Sequence, residues 1–174
     1  MKRRILALLA IGITLLFCLS GCGGHDKKVD SGTIPEKLYA AKNPYIENTE
    51  ANNSLVRLLK VNDNGKYTLE IESEDHPYTL NIRFMYLLDN VGLEEIEGVM
   101  TSNGIILMSL IGDCEQVDWS YPTDDGLVKG TIGLDYANEM IGKDIKKVGE
   151  NEESFTALYN DLFKDQEVKT DDEK

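Results

Sequence analysis

Histidine and cysteine are scarce in this chain, which limits the chemistry that its side chains can perform. The 174 residues include two histidines and three cysteines, and their spacing matches no metal-binding motif. A phosphate-binding loop and the G-x-S-x-G and S-x-x-K segments of serine enzymes are also missing. We therefore expect a protein that is not an enzyme and that has no catalytic residue, no metal site and no cofactor.

Basic residues are also few. The chain has 18 lysines and arginines against 31 aspartates and glutamates, which gives a net charge of −13. A strongly acidic protein binds nucleic acid poorly because it cannot release the counterions of the phosphates. Nucleic acid is therefore excluded as a partner, and most of the carboxylates are expected to form a solvated surface.

Long apolar runs are missing as well. The longest, Ile5–Leu19, has about fifteen residues, fewer than the roughly twenty that a helix needs to cross a bilayer. The basic segment Met1–Arg4 precedes it. A basic start followed by an apolar run of this length is typical of an export signal.

The end of that run is the most specific motif in the sequence. Leu19-Ser20-Gly21-Cys22 resembles the lipobox of bacterial lipoproteins, in which the peptide bond before the cysteine is cleaved and the cysteine is lipidated. The resemblance implies cleavage between Gly21 and Cys22, and anchoring to the outer face of the cytoplasmic membrane. Two acyl chains suffice for stable attachment. The alternative is an ordinary signal peptide, or a signal anchor, with an unrelated cysteine.

Cleavage there would leave a charged mature chain of one domain. Loss of residues 1–21 would remove three basic residues and no acidic one, so the net charge would move from −13 to −16. We expect a flexible tether at 22–33, one globular domain at 34–164 and a charged, disordered tail at 165–174. Cys114 would be the only thiol of that domain, which excludes an internal disulfide and suggests a buried, inert cysteine.

Hydrophobic periodicity predicts an α+β fold for the domain. Two helix–hairpin units in series predict a mainly antiparallel four-stranded sheet with helices on one face. Ile105–Ile111 is apolar on nearly all sides, which predicts a central buried helix that Gly112 caps. The predicted helices are 34–41, 48–60, 93–111 with a possible restart at 101–103, 135–141, and a C-terminal amphipathic helix at 151–164. The predicted strands are 67–72, 78–86, 116–121 and 127–134.

Several segments together resemble a known family. They are Leu38–Ile46 with its Lys-Asn-Pro-Tyr sequence, His76-Pro77-Tyr78, Ile105–Ile111 with Val117–Tyr121, and the closing stretch Ile141–Tyr159. The chain is similar, roughly from Lys37 to Phe163, to an uncharacterised domain family of extracytoplasmic lipoproteins in Gram-positive bacteria. The family is one of unknown function, so the resemblance implies no catalytic residue.

Three features invite a functional interpretation. Lys42, Asn43, Pro44 and Tyr45 form a distinctive segment that could be a partner-binding edge, or a Pro-fixed turn with Tyr45 packed on the core. His76 could be a general base, but its place before a proline favours a turn residue. Cys114 could form a thiol catalytic set with His76, although nothing nearby in the sequence is electropositive.

These observations favour a non-enzymatic binding or sensing module at the cell envelope. Its expected partners are the membrane, through the lipid anchor, and a membrane or envelope protein. An accessory or substrate-binding lipoprotein of a transporter or envelope assembly is the alternative. A cryptic enzyme that uses Cys114 is a third hypothesis.

Overall fold

The computed structural model describes residues 32–164, so the signal segment, Cys22, most of the tether and the tail lie outside the described residues. Within this range no helix is both long and apolar enough to cross a bilayer. The helices are α1 (Ile34–Ala40), α2 (Thr49–Leu58), α3 (Leu93–Leu110), α4 (Leu134–Ile141), α5 (Ile145–Glu150) and α6 (Glu152–Phe163). The strands are β1 (Gly65–Glu72), β2 (Thr79–Leu87), β3 (Gln116–Thr123) and β4 (Gly126–Gly133).

The four strands form one sheet in the order β1-β2-β3-β4. β1 with β2 and β3 with β4 are antiparallel hairpins, as predicted. β2 and β3 pair in parallel because α3 carries the chain back between them. The α+β fold with a mainly antiparallel four-stranded sheet is therefore confirmed, and the parallel contact joins its two hairpins.

The core lies between this sheet and α3. Every residue from Asn103 to Ile111 is buried, which confirms the prediction of a central buried helix. The facing side chains of the sheet are buried too: Leu80, Ile82, Phe84, Val117, Trp119, Tyr121 and Ile132. Gly104 permits this close packing, since a Cβ there would lie 2.5 Å from Cγ2 of Ile132.

Helix starts follow the sequence signals. The side chain of Asn48 accepts a hydrogen bond from the amide of Ala51 at the start of α2, over 3.2 Å. Asn151 does the same for Ser154 at the start of α6, over 2.9 Å. These side chains satisfy amides that have no partner inside the helix. The amphipathic C-terminal helix is thus placed as predicted.

Three local predictions are wrong. α3 runs without a restart at residues 101–103, and Ile96 and Met100 are already buried before that point. Gly112 is not its left-handed cap, since the chain leaves α3 at Ile111 in an extended conformation with φ −99° and ψ 109°. The short helix α5 was not predicted, because six residues are too few for an apolar period to be recognised.

Candidate functional site

The Lys42–Tyr45 segment is fastened to the end of α3 by backbone hydrogen bonds. The amide of Asn43 donates to the carbonyl of Leu110 over 3.1 Å, and the amide of Gly112 donates to the carbonyl of Asn43 over 2.9 Å. The side chain of Asn43 is buried and donates to Asn52 of α2 over 3.2 Å. Asn43 therefore has a structural role, because it joins α2, α3 and the segment itself.

Lys42 lies over an aromatic ring at one side of the segment. Its ammonium is 4.0 Å from the centre of the Tyr39 ring and 2.8 Å from the Tyr39 hydroxyl. That hydroxyl donates to the carbonyl of Glu150 at the end of α5, over 2.7 Å. The lysine is thus held by cation–π and hydrogen-bond contacts rather than by a carboxylate.

Pro44 and Tyr45 face solvent. A Cβ at Gly112 would lie 2.8 Å from the carbonyl oxygen of Pro44, so glycine is what lets the two backbones approach this closely. Tyr45 is 65% exposed. The interpretation in which Tyr45 packs on the core is therefore wrong, because most of its side chain is exposed to solvent.

Lys146 of α5 forms the opposite side of this region. Its ammonium donates to the carbonyls of Met108, Ile111 and Cys114 over 2.6, 2.7 and 2.6 Å. These carbonyls lie in the last turn of α3 or just after it. Backbone acceptors there lack partners inside the helix, and cations are favoured. Burial lowers the pKa of Lys146, while the negative charge of Asp113 opposes that shift.

α5 also approaches α3 more closely than side chains normally permit. A Cβ at Gly149 would lie 1.8 Å from the carbonyl oxygen of Ser109 and 2.8 Å from its carbonyl carbon. Glycine is therefore required here for α5 to reach the end of α3.

Between the segment and these two helices lies a cleft of about 340 Å³. The two ammonium groups that line the cleft already have hydrogen-bond partners. Backbone carbonyls accept from Lys146, and the Tyr39 hydroxyl accepts from Lys42. The hydroxyl of Ser109 donates to the carbonyl of Ile106 over 2.8 Å, which leaves no activated nucleophile. The residues that line it are Lys42, Asn43, Pro44, Ser109, Leu110, Gly112, Lys146, Gly149 and Glu150.

His76 lies in the turn between β1 and β2. Its Nδ1 is 2.6 Å from Oε2 of Glu115, and its ring stacks on Tyr78 with the ring centres 4.2 Å apart. The same carboxylate oxygen accepts a hydrogen bond from the amide of Tyr78 over 3.0 Å. The hydrogen bond from His76 lowers the pKa of Glu115. His76 thus fastens this turn to the chain that enters β3.

Cys114 is fully buried, as expected. Burial raises the pKa of its thiol to about 11, and the thiol donates to the carbonyl of Gln116 over 3.3 Å. Nucleophilic cysteines need a lowered pKa and access to solvent. Although His76 reaches the neighbouring Glu115, no hydrogen bond joins its ring to this thiol within residues 32–164. The arrangement does not support a thiol catalytic set.

The structure adds two residues to the site that the sequence did not single out, Lys146 and Gly149. Both act through backbone carbonyls more than thirty positions away, and a sequence pattern contains no sign of such contacts. Among residues 32–164, no three histidine, cysteine or acidic side chains are grouped so that they could hold a metal ion.

No curated protein and no solved structure matches the chain significantly. One family model matches residues 38–135, from α1 through the sheet to the start of α4, and thus includes the Lys42–Tyr45 segment. That range is more than half of the chain. The chain therefore belongs to the family described as "Domain of unknown function (DUF4825)".

Proposed function

We propose that this protein is a lipid-anchored, extracytoplasmic binding module without enzymatic activity, and that it contacts its partner through the cleft beside Tyr45. The observation that supports the proposal is the exposed Tyr45 side chain, which directly follows Pro44 in the wall of a cleft of about 340 Å³. Exposed aromatic side chains beside concave surfaces are frequent anchors of protein interfaces. The inert settings of Cys114 and Ser109 favour binding over catalysis.

The construction of the cleft fits a binding role. Its walls come from the Lys42–Tyr45 segment, α3 and α5, which are joined by backbone hydrogen bonds and close glycine contacts. A cleft with fixed walls loses little conformational freedom when it is occupied, so more of the contact energy remains for affinity. We therefore expect an apolar group of the partner to enter the cleft and Tyr45 to pack on it.

Replacement of Tyr45 by alanine should abolish capture of the partner. Photo-crosslinking of the full chain in intact cells, followed by purification, should show at least about a tenfold loss of the specific crosslinked species, as for an aromatic anchor. Tyr136→Ala is the matched control, because Tyr136 is 59% exposed and lies on α4. Both side chains are mostly exposed, so both variants should keep the melting temperature. Equal loss of the species in both variants would contradict the proposal.

The anchor is tested at the lipobox. Cys22→Ser should eliminate labelling by an alkyne analogue of palmitate and should prevent cleavage after Gly21, because a hydroxyl does not replace the thiol that accepts the lipid. Cys18→Ser is the control, since that cysteine lies inside the predicted signal and should leave labelling unchanged. Gel fluorescence and mass measurement of the membrane fraction provide the readout. Undiminished labelling of the Cys22→Ser chain would refute lipidation at this residue.

A further inference from the structure

The face of the sheet that is turned away from α3 has polar and charged residues arranged in rows across the strands. Arg83 of β2, Ser120 of β3 and Lys129 of β4 are opposite one another in the strand register. The next row is Asn81, Asp118 and Thr131. Side chains alternate between the two faces of a strand, so both rows lie on the face opposite to the buried residues Ile82 and Trp119.

A depression of about 220 Å³ lies over these rows. Leu127 also lines it, and is 60% exposed. Leu127 is two residues from Lys129 on the same face of β4, so it provides an apolar wall next to the charged groups. The depression thus combines two cations, one carboxylate and one aliphatic side chain.

The charged groups of the depression differ in how far they are already engaged. Arg83 forms an ion pair with Glu70 over 2.9 Å. Asp118 accepts hydrogen bonds from Thr131 over 2.6 Å and Gln116 over 2.9 Å, both at Oδ1. Within residues 32–164, no ion pair within 4 Å joins Lys129 to Asp118, although the two are diagonal neighbours on adjacent strands.

We propose that this depression binds a zwitterionic small molecule of the α-amino-acid type. The carboxylate of the ligand lies between Lys129 and Arg83, with the hydroxyl of Ser120 as a further donor. Its ammonium contacts Oδ2 of Asp118, and its side chain packs on Leu127. Diagonal neighbours on adjacent strands have side chains about 7–8 Å apart, which suits a ligand whose two charged groups are both attached to one carbon.

A zwitterion fits the charges of this face better than a simple anion or cation does. An anion would be attracted by the Lys129 ammonium but repelled by the Asp118 carboxylate. A cation would be attracted by Asp118 but repelled by Lys129. In either case one of the two protein charges would have the same sign as the ligand and would weaken binding. A ligand with both charges pairs each of them with its opposite.

The test uses three probes with the full chain purified in detergent. L-leucine has both charges, N-acetyl-leucine lacks the ammonium and leucinamide lacks the carboxylate. Heteronuclear NMR titration should show leucine shifting the amides of β2, β3 and β4. Each analogue should bind about tenfold more weakly, since each loses a hydrogen bond between charged groups.

Two variants should separate the two halves of the site. Lys129→Gln should weaken leucine and N-acetyl-leucine about tenfold and should strengthen leucinamide, because the opposing ammonium is gone. Asp118→Asn should weaken leucine and leucinamide and should strengthen N-acetyl-leucine, because the opposing carboxylate is gone. Lys147→Gln is the control, because the Lys147 side chain is 78% exposed on α5 and far from these strands in sequence. It should leave all three affinities unchanged.

The outcomes are distinct. Absence of shifts in β2 to β4 with leucine up to saturating concentration would overturn the proposal. So would equal loss of all three probes in Lys129→Gln, which would indicate a structural effect of the substitution. The amino-acid site lies on the sheet and the proposed partner cleft lies at the end of α3. A negative result for one site therefore does not contradict the proposal for the other.

Discussion

Replacement of Gly149 by alanine should strongly destabilise the domain. The added Cβ would lie 1.8 Å from the carbonyl oxygen of Ser109, and that oxygen belongs to the backbone of α3 and cannot rotate away. α5 would have to move off α3. Overpacking of a core typically costs about 1–3 kcal/mol and occasionally more. A collision with backbone belongs at the upper end, so we expect a loss of at least about 3 kcal/mol against a total stability of roughly 5–15 kcal/mol.

Urea unfolding followed by circular dichroism measures this effect. The matched control is Gly98→Ala in α3, where an added Cβ meets nothing within 4 Å. That change should raise the free energy of unfolding by about 0.5–1 kcal/mol, because alanine loses less backbone entropy in a helix. If Gly149→Ala unfolds at the urea concentration of the unchanged protein, α5 does not pack on α3 at this position.

The contrast between these two glycines explains which parts of the fold the sequence predicts. Hairpins and helix caps follow from local rules. The alternation of apolar residues placed strand β2, and the capping residue Asn151 placed the start of α6. Nothing local distinguishes Gly98 from Gly149. One faces open space and the other meets a backbone forty positions away, so the difference lies entirely in tertiary packing.

The same reasoning applies to the site. The Lys-Asn-Pro-Tyr sequence indicated that residues 42–45 were distinctive, and the structure places Lys42, Asn43 and Pro44 along a cleft, followed by the exposed Tyr45. The opposite wall could not be predicted, because α5 is too short for a periodic pattern and its contacts are with carbonyls. The parallel pairing of β2 with β3 was hidden for a related reason. The packing of α3 decides whether β2 and β3 run parallel. The sequence pattern of each hairpin would be the same in a parallel and in an antiparallel arrangement.

Replacement of Lys146 by methionine should cause the second large loss of stability, because it would remove the ammonium donor from three backbone carbonyls at and after the end of α3. The carbonyl of Ile111 would keep the amide of Cys114 as a donor, over 3.2 Å. In a continuing helix, the carbonyl of Met108 would accept from the amide of Gly112. That amide instead donates to Asn43, so the Lys146 ammonium, 2.6 Å away, takes the place of the helical partner. Hydrogen bonds from a charged group contribute about 1.5–3 kcal/mol each, and buried groups left without partners add a further cost.

We expect Lys146→Met to lower the free energy of unfolding by about 3–5 kcal/mol, since the three hydrogen bonds are lost together and are not fully additive. Lys147→Met is the control: its side chain is 78% exposed, and an ion pair at the surface, such as the one it forms with Asp144, contributes little to stability. Denaturant unfolding compares the two, and hydrogen exchange at the end of α3 locates the effect. Because the ammonium of Lys146 contacts carbonyls only at the end of α3, that end should exchange faster in Lys146→Met while the start of α3 keeps its protection. Equal stability of the two variants would show that water replaces the ammonium at these carbonyls, and that Lys146 does not hold the wall of the cleft in place.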